Sequence, residues 1–294
     1  MIVYKICIIS INMVDDMNND FQKILLEELS KNNTYISSKE DIYNSILDDL
    51  STNEKDFILI NQFLYICVFA EKLNSDNSGK LQQIMDDFNN GPIDRFLVFK
   101  LKYVKKLNNN DVFKTMPDDI LDLFGDLIEV MSAFLKIFVC INSLYNNETK
   151  YESIKNLNTL TDNNLFSKLT AKKNNINWDF VLKDLNKPLR NADKHLRYVY
   201  DSRNHRIIAS KDGMLYFEID EMTLYRITVR VMNIINCFVS MGELSSLINE
   251  DNNKSLELKK VLVNNMTIAR SKEILSIFKP EFLQKNETKL SKKH

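Results

Sequence analysis

Glycine, proline, cysteine and histidine are all scarce in this 294-residue chain, and each shortage argues against a class of protein. Five Gly and four Pro are too few for the many turns of a β-sandwich or barrel and leave no room for a glycine-rich nucleotide loop. The four cysteines are far apart in the sequence, so we expect no zinc site built from cysteine pairs, and a reducing, cytoplasmic location fits them. Three histidines, with neither a His-Glu-x-x-His nor a Gly-x-Ser-x-Gly sequence, disfavour zinc and serine hydrolases. We therefore expect no metal and no cofactor.

No apolar run is long enough to predict a membrane span, and the charge is unevenly distributed. The strongest run, residues 57–70, has Asn61 and Gln62 at its centre and predicts a buried core helix. Residues 1–150 carry 15 basic and 23 acidic side chains, a net −8, whereas residues 151–294 carry 24 and 17, a net +7. Any surface for nucleic acid is therefore expected in the second half.

Apolar residues recur at helical spacing over most of the chain. Thr115 and Pro117 mark the start of a long central helix, and Asp220 is placed to cap another one. The one clear strand signal is the alternation over residues 205–219 around Gly213, which predicts a β-hairpin. We expect an all-α helical bundle with this hairpin inserted.

Three ranges are predicted from these signals. Residues 1–115 form a helical N-terminal extension of unknown role, residues 116–250 form the bundle with a motif helix at 188–200, and residues 251–294 form C-terminal helices and a polar tail. The tail, from residue 279 onward, is polar enough to be loose. Asparagine clusters receive little functional weight, because heavy use of Asn, Lys and Ile is typical of low-GC coding bias.

The basic half contains one segment with the chemistry to bind a phosphate. Residues 168–206 hold ten cationic and four acidic side chains, although a solvated basic helix face is the alternative interpretation. Within this segment, residues 188–200 fit a two-faced helix. Its apolar arc, expected in the core, consists of Leu189, Ala192, Leu196 and Val199. Its polar arc, which could hold a phosphate and move a proton beside it, consists of Asn191, Lys194, His195 and Tyr198, bordered by Arg190.

Arg190, the polar Asn191 and His195, in the order Arg-x4-His, resemble the signature of the HEPN superfamily, and the resemblance covers about residues 118–250. Leu196 departs from the family, in which a small residue often follows the His. The resemblance implies a metal-independent endoribonuclease of bacterial defence or toxin-antitoxin type. It also implies that His195 is the general acid or base, that Arg190 stabilises charge on the phosphorane, and that Asn191 orients one of them.

Partners follow from the basic segment and from the same resemblance. RNA contacts are expected from Lys172, Lys173, Lys194, Arg197, Tyr198 and Arg203. The motif occurs once, and the family commonly builds its site from two facing motifs, so a homodimer is expected with each His195 near the other subunit's Arg190. An antitoxin or activator protein is a further implied partner, and no membrane contact is expected. The alternative is a noncatalytic helical interaction module whose polar face binds a protein partner or a nucleotide.

Overall fold

The fold is mostly helical with one small antiparallel sheet, as the sequence indicated. A computed structural model describes residues 39–89, 91–108, 117–145, 157–183, 197–211, 213–248 and 252–290. Within these ranges, 74% of the residues are helical. The elements follow in this order: α1 Lys39–Thr52, α2 Glu54–Leu73, α3 Asn77–Asn89, α4 Pro92–Asn108, α5 Pro117–Ser143, α6 Asp162–Leu169, α7 Asp179–Leu182, β1 Arg197–Asp201, β2 Arg206–Lys211, β3 Met214–Asp220, α8 Glu221–Leu247, α9 Asn253–Asn265, α10 Ile268–Leu275 and α11 Pro280–Leu290.

The chain divides into two compact units, each built from two stretches that are distant in sequence. The first comprises residues 1–69 and 234–277, and the second comprises residues 70–233 and 278–294. Two of the three boundaries fall within α2 and α8, and the third lies between α10 and α11. The predicted ranges 1–115, 116–250 and 251–294 follow sequence order and coincide with neither unit, so their separate roles stay a prediction.

In the first unit, α1 packs against α9, and aromatic rings from α2 and α8 meet in the core. Tyr43 of α1 donates a hydrogen bond to Glu257 of α9. The rings of Phe63 and Phe238 lie edge to face with centroids 5.2 Å apart, a favoured aromatic geometry. Helix α2 is the core helix predicted for residues 57–70, and its central Asn61 is buried because its amide donates to the carbonyl of Phe57 at 2.8 Å.

In the second unit, α5 is the central helix, and it contacts α3, α4, α6 and β1. Its apolar residues recur at three and four positions. The described members of this stripe are all almost completely buried, which confirms the predicted central helix: Phe124, Leu127, Met131, Phe134, Phe138 and Ile141.

Helix α8 starts where the sequence predicted, because the Asp220 carboxylate accepts hydrogen bonds from the backbone N–H and hydroxyl of Thr223 at 2.8 and 2.7 Å. By length and composition alone α8 could cross a membrane. However, 61% of its most apolar stretch is buried inside the protein, as in the core helix of a globular domain.

The sheet contains the predicted hairpin and one strand that was not predicted. Strands β2 and β3 form the hairpin, with Gly213 at φ +80° in its turn, a backbone conformation that glycine adopts without strain. Strand β1 joins the other side of β2 to give the order β1-β2-β3.

The predicted helix over residues 188–200 is therefore wrong at its C-terminal end, because residues 197–200 belong to β1. Residues in a strand alternate between two faces, so Tyr198 and Tyr200 lie on the face that carries the buried Ile207 and Ala209. Val199, expected in the core, is 58% exposed. Tyr and Val are good strand formers, and pairing with β2 decides the conformation.

The predicted loose tail is also wrong over most of its length, because Pro280–Leu290 is α11. Phe282 is buried, and its ring centroid lies 5.5 Å from that of Tyr145 and 5.7 Å from that of Phe278. One aromatic residue thus anchors an otherwise polar helix to the second unit.

Candidate functional site

The predicted site residues fall into two groups. Arg190, Asn191, Lys194 and His195 lie outside the described residues, so their arrangement stays a prediction. The other five residues are described: Arg197 begins β1, Tyr198 follows it in β1, Arg203 lies in the turn between β1 and β2, and Lys172 and Lys173 lie in the loop after α6.

The Tyr198 ring is packed into its own chain. It lies edge to face with Phe124 of α5 at 5.2 Å between centroids, and its centroid is 6.4 Å from that of Phe217 in β3. The predicted polar arc placed this ring beside Lys194 and His195 on one helical face. Because Tyr198 is in a strand, that helical alignment does not apply to it.

A pocket of about 380 Å³ lies where the basic segment begins, next to the C-terminal part of α5. Its lining combines two lysines with hydroxyl and amide side chains and a few apolar ones. The lining residues are Val139, Asn142, Ser143, Leu160, Asn164, Ser167, Lys168, Ala171, Lys173 and Asn174. Lysine amines, hydroxyls and amides can all donate hydrogen bonds to an anion.

A chain of buried amides forms the floor of this pocket. The indole N–H of Trp178 donates to Asn142 Oδ1 at 3.0 Å, and Asn142 Nδ2 donates to Asn174 Oδ1 at 3.0 Å. Asn174 Nδ2 in turn donates to the carbonyls of Lys168 and Leu169, each at 2.7 Å. These bonds hold the loop after α6 against α5.

A further lysine approaches the same loop from far along the chain. The Lys279 amine donates to the carbonyl of Lys172, and the Lys279 N–H donates to the carbonyl of Asn175 at 3.0 Å. Lys279 was not among the predicted site residues, because it was expected in a loose tail. Asn142 and Asn174 were not among them either, because asparagines received little weight as a sign of coding bias. A usable signal for Asn142 was its polar side chain within the buried stripe of α5.

A second polar cluster joins the turn after β1 to the start of α8. Tyr200 donates a hydrogen bond to Glu221, and His205 Nδ1 lies 3.3 Å from both the Tyr200 hydroxyl and Glu221 Oε1. Burial, followed by the contact with Glu221, raises the pKa of Tyr200 to about 12. His205 has φ 52°, an uncommon conformation for a non-glycine residue, and its carbonyl accepts from the Glu221 N–H at 3.2 Å.

This cluster acts as a clamp between the sheet and α8. From the sequence, His205 was expected only as a hairpin side chain, and Glu221 carried no signal beyond its position after the cap. Asp201 closes the same turn, because its carboxylate accepts from the Asn204 side chain, and this bond lowers the pKa of Asp201.

No protein-family model, curated protein or solved structure matches this chain. Among the described residues, no group of three or more His, Cys, Asp and Glu side chains is placed to hold a metal ion. The lysine-lined pocket and the clamp are therefore interpreted from their own chemistry.

Proposed function

We propose that this protein is a metal-independent endoribonuclease that binds RNA beside its lysine-lined pocket and cleaves it with Arg190, Asn191 and His195. The observation that supports this best is the pocket, since Lys168 and Lys173 line it together with the hydrogen-bonded amides Asn142 and Asn174, at the start of the basic segment that also contains the motif. A concave basic surface concentrates a polyanion near the residues that follow it.

In the proposed reaction, the ribose 2′-hydroxyl attacks the adjacent phosphorus. A bond forms between the 2′-oxygen and phosphorus, the bond to the 5′-oxygen breaks, and a cyclic phosphate remains. The proton leaves the 2′-hydroxyl, and a proton is delivered to the 5′-oxygen, so that His195 serves as the base or the acid. Arg190 stabilises the extra negative charge on the phosphorane, and Asn191 orients one of these two side chains.

Incubation of the purified chain with mixed RNA in EDTA tests the catalytic part of the proposal. We expect cleavage in the presence of the chelator, and its loss in Arg190→Ala and in His195→Ala with helicity unchanged. His294→Ala is the matched control and should cleave as the wild type does. Cleavage that requires magnesium, or equal activity of His195→Ala and the wild type, would contradict the proposal.

The salt dependence of RNA binding tests the basic surface separately. Reversing Lys172 and Lys173 to Glu should weaken binding and flatten its dependence on salt, because fewer counterions are released from the RNA. Lys259 and Lys260, two exposed lysines of α9, provide the control double reversal. If both double variants bind RNA equally, or if wild-type affinity is independent of salt, the segment is only a solvated face.

The second candidate function is a noncatalytic interaction module, and one observation favours it. Val199, Met214 and Leu215 of the sheet are all more than half exposed, and clusters of exposed apolar side chains commonly mark protein contacts. If no preparation cleaves RNA and binding partners are lost on substitution of the motif, this function replaces the first.

A further inference from the structure

The pocket beside α5 has a buried end and an end near solvent. The buried lining residues are Val139, Asn142, Ser143 and Asn174. Of the two lysines, Lys168 is half-buried and Lys173 is exposed, so both lie nearer to solvent. None of the ten described lining residues is acidic, so the lining contributes two positive charges and no negative one. Its volume of about 380 Å³ lies in the lower part of the range for small-molecule pockets, about 300–1,000 Å³.

The buried end offers a hydrogen-bond donor beside an acceptor. The Asn142 amide has two N–H donors and an oxygen with two lone pairs. Inside the protein it donates once, to Asn174 Oδ1, and accepts once, from the Trp178 indole. One N–H and one lone pair of the same planar amide therefore remain for a ligand. An Asn amide that donates and accepts at once matches the edge of a nucleobase, as in its pairing with N7 and N6 of adenine.

The two serines of the lining add acceptors and not donors. Ser143 Oγ donates to the Cys140 carbonyl at 2.6 Å, and Ser167 Oγ donates to the Asn163 carbonyl at 2.8 Å. A hydroxyl has a single proton to donate, so both serines present only oxygen lone pairs to a ligand. A fully ionised inorganic anion has only acceptors and cannot bond them, whereas the exocyclic amine of a nucleobase can.

We propose that this pocket binds one nucleoside monophosphate unit, with the base at the buried end and the phosphate at Lys168 and Lys173. Val139, Leu160 and Ala171 supply apolar contact to the faces of the base. The lysine amines bind the phosphate through charge-assisted hydrogen bonds, each ammonium having three donors. The ligand is recognised through both of its parts, because the amide and serine groups need a base and the lysines need an anion.

Such a unit occurs both as a free nucleotide and at the phosphorylated end of an RNA chain. The pocket has room for one small ligand, so an RNA chain would place its terminal nucleotide in it and leave along the basic segment. Only the choice of RNA as the source rests on the proposed function. Binding of the nucleotide itself does not involve Arg190, Asn191 or His195.

Isothermal titration calorimetry of the full chain in EDTA tests the site, with AMP as the probe. We expect AMP to bind at least about tenfold more tightly than adenosine, which lacks the phosphate, or ribose 5-phosphate, which lacks the base. Lys173→Ala should weaken AMP binding by about tenfold or more. Lys172→Ala is the matched control, because it removes the same charge from the same loop but its side chain is not part of the lining, and it should bind AMP as the wild type does.

A variant that fills the pocket provides a second measurement. Ala171→Leu should abolish AMP binding while the circular dichroism spectrum stays that of the wild type. The proposal is overturned if AMP does not bind at millimolar concentration, if Lys172→Ala and Lys173→Ala weaken binding equally, or if Ala171→Leu binds AMP normally.

A 5′-phosphorylated trinucleotide of adenylate distinguishes the two sources. If it displaces AMP, the site takes an RNA end; if it does not displace AMP that binds as expected, the site takes a free nucleotide, and both results support the pocket. His195→Ala should bind AMP as the wild type does. AMP binding by a protein that never cleaves RNA would refute the proposed function alone, and cleavage by a protein that does not bind AMP would refute this inference alone.

Discussion

Removing the Asn142 side chain should strongly destabilise the second unit, because this side chain joins both halves of the buried amide chain. Asn142→Ala deprives the Trp178 indole N–H of its acceptor and Asn174 Oδ1 of its donor, each bond being 3.0 Å long. All three side chains are almost completely buried. A buried polar atom left without its partner costs about 1–3 kcal/mol, so the two together should lower the free energy of unfolding by about 2–6 kcal/mol.

The assay is urea unfolding followed by tryptophan fluorescence, since Trp178 is the single tryptophan of the chain and reports on the unit in which it lies. With a slope of about 2 kcal/mol per M urea, the midpoint should fall by about 1–3 M. Asn158→Ala is the matched control, because Asn158 accepts only an exposed hydrogen bond from Lys136 at 3.2 Å, and its loss should change stability by less than about 0.5 kcal/mol.

The energetic coupling between Asn142 and Trp178 provides a further check. The unfolding of Trp178→Phe variants can be followed by circular dichroism. In this background, Asn142→Ala should lower the free energy of unfolding by less than it does in the wild type, because no indole N–H is left without an acceptor. If Asn142→Ala and Asn158→Ala have equal effects on stability, the buried amide chain does not hold the floor of the pocket.

Two other outcomes are expected from the site and from the clamp. If Arg190 of one subunit acts with His195 of the other, mixing Arg190→Ala with His195→Ala should restore about a quarter of wild-type cleavage. Half of the dimers are then heterodimers, and each heterodimer has one intact site out of two. No recovery would show that each subunit acts alone. The Tyr200 pKa of about 12 lies above the ordinary value, so its stabilising effect is complete below about pH 10 and is lost as pH rises toward 12. Subtracting the ultraviolet tyrosinate absorbance of Tyr200→Phe from that of the wild type isolates the titration of Tyr200, which should have its midpoint near pH 12. A midpoint near pH 10 would refute the role of burial and of Glu221 in raising the Tyr200 pKa.

Much of the fold could be predicted because its signals are local. The stripe of α5 repeats every three or four residues, so neighbouring positions alone identify a buried helix face. The hairpin depends on Gly213 and on alternation within a few residues of it, and the start of α8 depends on Asp220 and Thr223, which are three positions apart. For such elements, the interacting residues are also sequence neighbours.

Strand β1 shows where local reasoning failed. The pattern of residues 197–200 fits a helix and a strand equally well. The choice depends on β2, whose Ile208 pairs with Val199. A strand needs a partner to satisfy its backbone hydrogen bonds, whereas a helix satisfies them within itself. The local sequence therefore could not decide between the two.

The sequence by itself determined the helical character of this protein, the hairpin and the position of its basic segment, because these depend on composition and on short-range spacing. Only the tertiary structure decided which residues form the pocket and its floor. Asn142 meets Asn174 across 32 residues and Lys279 meets Lys172 across 107. No local periodicity encodes such pairs, because they form only when packing of the apolar faces brings the segments together.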